Sequence, residues 1–193
     1  VGSRDPVHGV PYCCGYGCAA ALKHIQLTAA LPHVERITLC AMDVRAHGRD
    51  CEPFFRRVQA MDKVRLVHGR VAEIVPLGTD RGVEVLASHG GFPWRTHADL
   101  VVLAMGMRPS EEALRIAKAL GLQTDPFGFV RIKEHHTVHT SRDGIYACGA
   151  FMGPKSIPSA VQEACAAAIA AGARLTAPPE AVLGDVPEPA SSP

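Results

Sequence analysis

VGSRDPVHGVPYCCGYGCAAALKH, residues 1–24, is the stretch that decides how this chain folds. Three cysteines and the glycines Gly9, Gly15 and Gly17 stand at the start of an alanine-rich run that predicts a helix. Where a turn leads into a helix, backbone N–H groups point outward and the helix dipole is positive. Because such an end favours a phosphate, a thiolate or a metal–sulfur cluster, this turn is the first candidate site.

Three interpretations of the turn stay open. Residues 15–20 fit G-x-G-x-x-A, the pattern of a dinucleotide-binding turn, and the acidic Asp43 follows the next apolar run, as that fingerprint requires. The thiols of Cys13 and Cys18 flank the same turn, with Cys14 beside the first, which indicates a metal or redox site instead. In the third interpretation, small residues only allow close helix–strand packing and the thiols are inert.

The composition limits the protein class. With 193 residues and a formal net charge of +1, the chain suffices for one domain, or one and a half, and offers no electrostatic footprint for nucleic acid or an anionic membrane. No apolar run approaches the ~20 residues that span a bilayer, and we expect no signal peptide. Seven cysteines, three of them within six positions, predict a reducing, cytoplasmic compartment and a metal or redox use for some of the first three.

The hydrophobic pattern predicts an α/β fold. Helices are expected over 18–31, 52–61, 111–120 and 156–175, and strands over 36–42, 64–67, 71–77, 82–87, 94–97, 99–104, 128–130 and 144–148. The run 99–104, DLVVLA, predicts a fully buried strand. A doubly wound sheet has a strand before Cys13, so we expect a fragment or a fold completed by another chain. Residues 176–193 are expected to form a disordered tail or linker.

Two segments together resemble flavoproteins with two dinucleotide-binding domains. Residues 99–109, DLVVLAMGMRP, are similar to the strand end that returns the chain from the inner domain to the FAD domain. Residues 140–150, TSRDGIYACGA, are similar to the second FAD signature, whose strand runs into a Gly-Asp pair that holds the ribityl chain. Ala150 stands here in place of that Asp, so one ribityl hydrogen bond is missing or comes from elsewhere.

Three further stretches make the chain resemble the A subunit of heterodisulfide reductase and its bacterial relatives. They are VGSRD at 1–5 followed by Tyr12, Cys13 and Cys18, MDVRA at 42–46 with FRR at 55–57, and GPKSIP at 153–158. The resemblance implies a [4Fe–4S] cluster in the place where other relatives hold NAD(P)H. Cys13 and Cys18 match two of the cluster ligands of the family, and Cys14 would be a third ligand at a displaced position. Gly17 stands where the family has a cysteine, and a further ligand would precede residue 1. The ligand set in this chain is therefore incomplete.

The resemblance also implies a flavin site. Lys155 would lie near the flavin ring, where a cation favours reduced, anionic flavin, and it is the one catalytic candidate; the alternative is a solvated lysine. The first turn after Pro158, with Ala160, would present N–H groups to the pyrimidine edge of the flavin. Gly106 and Gly149 would permit close approach of the backbone. The remaining implied contacts are Ala150 and Ile157.

Histidines offer further candidates. The three cysteines and His8 are candidate zinc ligands, but they lie closer together in the sequence than the ligands of usual zinc sites. His135 and His136, in an extended segment, would point to opposite faces, so we predict that they and His139 are surface residues and not shared ligands.

We therefore expect an α/β protein with a Rossmann-like, NAD(P)-like domain of thioredoxin-reductase type and a three-stranded meander, followed by part of an FAD-binding domain. The inner domain would cover 1–107 and lack its first strand, and the FAD-domain segment would cover 108–175. The resemblance implies an oxidoreductase that passes electrons between FAD and iron–sulfur centres toward disulfide reduction, inactive as this isolated segment.

The implied partners are other heterodisulfide-reductase-type subunits, iron–sulfur electron carriers and a second copy of the chain. One alternative is an NAD(P)H-dependent disulfide or ferredoxin-type reductase, in which Gly15, Gly17 and Asp43 contact the nucleotide and Arg45 pairs with a 2′-phosphate. The other is a cofactor-free scaffold that contacts partner subunits.

Overall fold

The computed structural model describes residues 10–13, 15–45, 48, 50–78 and 81–176. Several features named above lie outside these residues: the VGSRD motif at 1–5, His8, Cys14 and the expected tail after residue 176. The described residues form two compact units, which meet in the sequence between Met107 and Arg108.

The first unit opens with a helix and a parallel strand pair. Its elements are α1 (Gly17–Ala29), β1 (Ile37–Ala41), α2 (Cys51–Gln59) and β2 (Val64–His68). β1 and β2 pair in parallel, from Ile37 opposite Val64 to Ala41 opposite His68. Since α2 lies between the two strands in sequence, this is the βαβ arrangement of a Rossmann-like fold.

The spacing of apolar residues explains how the helices pack. Leu22, Ile25 and Ala29 fall on one face of α1, as predicted, and all three are buried. Leu22 and Ile25 pack with Val58 of α2, and partly buried side chains of β1 cover this cluster. The helices thus cover the parallel strand pair, which places the turn before α1 at the end of a packed layer.

A three-stranded antiparallel meander completes the first unit. It consists of β3 (Val71–Pro76), β4 (Val83–His89) and β5 (Phe92–Ala98) in the order β3-β4-β5. Gly90 and Gly91, with φ of 58° and 85°, make the turn between β4 and β5, a left-handed conformation that glycine adopts without a steric penalty. The predicted α/β class and the meander are confirmed.

The second unit has two helices joined by an irregular segment. They are α3 (Glu111–Ala119) and α4 (Ile157–Thr176), with a 3₁₀ helix at Gly149–Phe151 before α4. Ala117 of α3 packs with Leu122, Val130 and Ala147 in a small core. The helix predictions at both ends of this unit are confirmed to within a few residues.

Three strand predictions are wrong. Residues 99–104 have no regular structure, and Leu100, Val102 and Leu103 are 79%, 75% and 67% exposed. The segments 128–130 and 144–148 take part only in isolated bridges. An apolar run becomes a strand only where a neighbouring strand supplies hydrogen-bond partners, and the described residues supply none for 99–104.

A helix that crosses a bilayer must be both long and continuously apolar. None of those within the described ranges would reach across a membrane.

Candidate functional site

The cysteine–glycine turn lies at the start of α1. Tyr16 is the residue before the helix, and Gly15 has a φ of 70°, which bends the chain into it. The Gly15 N–H points at the Cys13 sulfur, with N and Sγ 3.4 Å apart. Cys18 follows in the first turn of α1. The turn therefore places one backbone amide on the Cys13 sulfur and a second thiol in the first turn of α1, at the helix end that favours an anion.

The geometry does not complete a metal centre among the described residues. In that part of the chain, no three side chains of His, Cys, Asp or Glu come together as a metal-binding group. Cys13 and Cys18 are partly buried thiols. Cys14 lies outside the described residues, so two of the three predicted ligands are placed, and the described ranges alone hold too few of them for a [4Fe–4S] cluster.

Two residues predicted for a pyridine nucleotide lie at the ends of α1 and β1, and the described residues before the turn form no strand. Gly17 is the first residue of α1, and Asp43 follows the carboxyl end of β1. Arg45 Nε donates to Asp43 Oδ2 at 3.0 Å, and both side chains are about half exposed. An exposed carboxylate paired with a guanidinium after this strand suits the ribose end of a dinucleotide.

Tyr12 ties this turn to the end of the first unit. Its hydroxyl donates to the Met107 carbonyl oxygen at 2.7 Å. The predicted flavin contact Gly106 is the neighbour of Met107 in sequence and belongs to this unit. No short sequence signal marks such a contact, because the two residues are 95 positions apart.

Lys155 forms a salt bridge with Glu163 in the second unit. Its Nζ is 2.7 Å from Glu163 Oε1 and 2.6 Å from Oε2. The same carboxylate accepts the Gly149 N–H at 2.8 Å through Oε2. The Lys155 side chain is only 14% exposed and that of Glu163 20% exposed. The alternative of a solvated lysine is therefore wrong.

Sequence reasoning missed Glu163. It is the only acidic residue of α4, in a run made mostly of alanine and other small or apolar residues. An acid in such a helix, two turns after a lysine at the helix start, is a signal that would have found it, because a lone charge on an apolar face needs a partner.

The start of α4 carries the other predicted flavin contacts. Ser156 caps the helix: its Oγ accepts the Ser159 N–H at 3.4 Å. The Ala160 N–H already donates to the Ser156 carbonyl at 3.0 Å, so this predicted amide is engaged within the helix. Gly149 has a φ of 69°, and a Cβ added there would lie 3.8 Å from the Ala160 Cβ. The structure thus brings Gly149, Lys155 and Ala160 together.

These residues fit the chemistry of a flavin. Ile157 is 81% exposed and leaves an apolar surface beside the sheltered Lys155 ammonium. Ala150 lies in the 3₁₀ helix that Gly149 begins, and Pro158 follows Ile157 in the first turn of α4. A flavin needs a mostly apolar surface with a few placed polar groups, and this helix end provides both.

The histidine predictions hold in part. His135 is not extended but lies in a turn with a φ of 62°; it and His136 are exposed, as predicted. His139 is half-buried, with its ring centroid 4.4 Å from that of His136 and 5.0 Å from that of Tyr146. Among the described residues, its Nδ1 is the one buried side-chain nitrogen or oxygen atom without a hydrogen-bond partner. Burial, and then the neighbouring His136 and Lys133, hold the pKa of His139 below its ordinary value.

Comparison with known proteins gives consistent matches. Residues 13–164 match the family described as pyridine nucleotide-disulphide oxidoreductase. The second iron-sulfur A subunit of the CoB–CoM heterodisulfide reductase of Methanopyrus kandleri is 38% identical over an alignment of 183 positions that covers 92% of this chain and 28% of that protein. The A subunit of the H(2)/formate:CoB-CoM heterodisulfide,ferredoxin reductase of Methanococcus maripaludis is 38% identical over 88% of this chain and 26% of its own length.

A solved structure of a thioredoxin reductase from Gloeobacter violaceus covers 89% of this chain and 50% of its own, with 21% identity and a TM-score of 0.35. The chain spans about a quarter of the length of the curated relatives it matches. The predicted resemblance to the heterodisulfide reductase A subunit is confirmed.

Proposed function

The chain belongs to the pyridine nucleotide-disulphide oxidoreductase family, and we propose that it is an electron-transfer portion of an FAD-dependent oxidoreductase similar to the A subunit of heterodisulfide reductase. In this proposal, electrons pass between FAD and iron–sulfur centres toward the reduction of a disulfide. The similarity to two heterodisulfide reductase A subunits over about nine tenths of the chain supports it.

One observation carries the proposal: the sheltered contact of Lys155 with Glu163 and, through it, with the Gly149 amide. Bound FAD would supply reversible electron uptake and release. Lys155 presents an ammonium group that shares the Glu163 carboxylate with the Gly149 amide, and the exposed Ile157 provides apolar surface. The chain's own part is therefore to bind and orient the cofactor and to hold charge beside it.

The two compact units divide this work in the proposal. Residues 1–107 act as the inner nucleotide-binding-like domain, and residues 108–175 act as the C-terminal segment of the FAD domain. The partners are other heterodisulfide-reductase-type subunits, iron–sulfur carriers and a second copy of the chain, in the cytoplasm. The similar proteins from Methanopyrus kandleri and Methanococcus maripaludis are named as subunits of reductases, which supports such an assembly.

The turn at Cys13 and Cys18 is the proposed second redox centre. The Gly15 N–H that points at the Cys13 sulfur supports a metal–sulfur role, since such contacts stabilise cluster sulfurs. A complete cluster requires ligands from outside the described residues.

A second candidate function is an NAD(P)H-dependent flavin reductase. It is favoured by Gly15 and Gly17 at the start of α1 and by the Asp43–Arg45 pair after β1. In that case a nucleotide would take the turn that the first proposal gives to a cluster.

The deciding experiment is an anaerobic ultraviolet–visible spectrum of the full-length protein, with iron, sulfide and zinc analysis, beside its Cys13→Ala and Cys165→Ala variants. Cys165 is an exposed cysteine on α4 and serves as the matched control. We expect bound flavin in all three proteins and loss of iron in Cys13→Ala alone. Flavin without iron, reduced directly by NAD(P)H, would favour the second candidate, and a protein without flavin or iron would favour the scaffold.

A further inference from the structure

We propose that Glu163 is a positioning residue that sets the charge which this chain presents to a bound flavin. Its carboxylate fixes both the Lys155 ammonium and the Gly149 amide. The inference rests on the proposed function, because it requires a flavin beside Lys155.

The geometry makes this contact more than a surface ion pair. Both carboxylate oxygens of Glu163 lie within 2.7 Å of Lys155 Nζ, and Oε2 takes the Gly149 N–H as well. Exposed pairs are worth little because water screens them, as for Arg115 and Glu112, whose side chains are about three-quarters exposed. The Lys155 and Glu163 side chains are 14% and 20% exposed, so their charges act at higher effective strength.

The pair has a net charge near zero, which decides its effect on a flavin. Reduction adds electrons, so an ammonium group nearby favours the reduced form, and a carboxylate nearby disfavours it. Glu163 offsets the charge of Lys155 as long as the two stay in contact. The flavin potential is then set by the pair, and removing either partner shifts it in opposite directions.

Two substitutions separate the charges from the packing. Glu163→Gln removes the negative charge but keeps an amide oxygen that can accept the Gly149 N–H. Lys155→Met removes the positive charge and keeps an unbranched apolar chain. The double variant removes both charges and restores a neutral site. Glu112→Gln is the matched control, because it changes an exposed ion-paired acid of the same unit.

The experiment compares the reduced-to-oxidised ratio of FAD in the full-length protein and the four variants, poised against a reference dye. We expect Glu163→Gln to raise this ratio about tenfold, which is about 30 mV for a two-electron couple, and Lys155→Met to lower it by a similar factor. The double variant should return to within about threefold of the parent protein, and Glu112→Gln should leave the ratio unchanged. Circular dichroism and flavin content confirm that each protein is folded and loaded.

The outcomes separate the inference from the function on which it rests. A parent protein that binds no FAD overturns both. A loaded protein whose ratio is the same in Glu163→Gln overturns the inference alone and leaves Glu163 with a structural role. If Glu163→Gln does not fold, the double variant decides, because a ratio that stays as low as in Lys155→Met shows that the Glu163 charge does not reach the flavin.

Discussion

Gly69 follows β2, where the chain passes directly against the meander. A Cβ added there would overlap the Ser88 carbonyl oxygen, a backbone atom that cannot move aside alone. The helical Gly172 is the opposite case, since an added Cβ meets nothing within 4 Å.

We expect Gly69→Ala to lower the free energy of unfolding by about 3 kcal/mol or more, because the strands must separate to admit the methyl group. Gly172→Ala should raise it by about 0.5–1 kcal/mol, because alanine loses less backbone freedom in a helix. Urea denaturation followed by circular dichroism measures both. A Gly69→Ala protein as stable as the parent would contradict the close approach.

The single residue His139 makes the free energy of unfolding depend on pH. Its pKa in the folded protein lies below the ordinary 6.5, first because of burial and then because of the positive charges nearby. Between the folded pKa and 6.5 the unfolded chain therefore binds more protons, so the free energy of unfolding rises with pH through this window and falls as pH drops below 6.5.

We expect His139→Phe, which keeps a ring beside Tyr146, to flatten this dependence. The exposed His135 is the control, and His135→Phe should leave the slope as it was. Thermal melts from about pH 5 to about pH 8 test this, and an unchanged slope in His139→Phe would assign the effect to another group.

Among the elements, α3 is a helix whose start and end are set by residues close together in the sequence. Ser110 precedes its first turn, and the Ser110 hydroxyl accepts the Ala113 N–H at 3.1 Å. Acidic residues follow in the first turn and Lys118 stands in the last, both favourable to the helix dipole. These signals are all local in sequence, which is why the predicted helix and the observed one agree.

We expect Ser110→Ala to cost about 1 kcal/mol of stability, because one N–H of the first turn loses its partner. Ser110→Asp should cost less than about 0.5 kcal/mol, since a carboxylate accepts the same bond. Amide hydrogen exchange at Ala113 and chemical denaturation check the pair. Equal stability of Ser110→Ala and the parent would show that the cap contributes nothing measurable.

Strands depend on partners in a way that helices do not. The run at 71–98 became a meander because Gly90 and Gly91 join neighbouring strands directly. The run at 99–104 is more apolar, yet it has no ladder among the described residues. A hydrophobic pattern therefore predicts a strand only where a neighbouring segment can form backbone hydrogen bonds with it.

At the scale of the whole molecule, we expect a bound cofactor to raise the free energy of unfolding. A ligand that binds only the folded state stabilises it in proportion to the logarithm of its concentration over its Kd, by about 2.7 kcal/mol at a hundredfold excess. We expect removal of FAD from the full-length protein to lower Tm, and saturating FAD to restore it. Lys155→Met should reduce the FAD-dependent rise, whereas Glu112→Gln should keep it. A Tm that does not respond to FAD would contradict the proposed function.

The sequence alone determined the helices, the positions of the strands of the first unit, the meander and the resemblance to heterodisulfide reductase A subunits. All of these depend on contiguous signals: periodicity, caps, turn glycines and short motifs such as GPKSIP at 153–158. It also selected Lys155, because that residue stands inside such a motif.

Only the tertiary structure decided that one carboxylate holds both Lys155 and Gly149. Glu163 lies eight positions after Lys155, and its carboxylate reaches both Lys155 and Gly149 because the 3₁₀ helix folds back against α4. The contact of Tyr12 with Met107 and the close approach of Gly69 to Ser88 are of the same kind. The partners in these two contacts are far apart in the sequence, and a local pattern along the chain carries no information about where such segments meet in space.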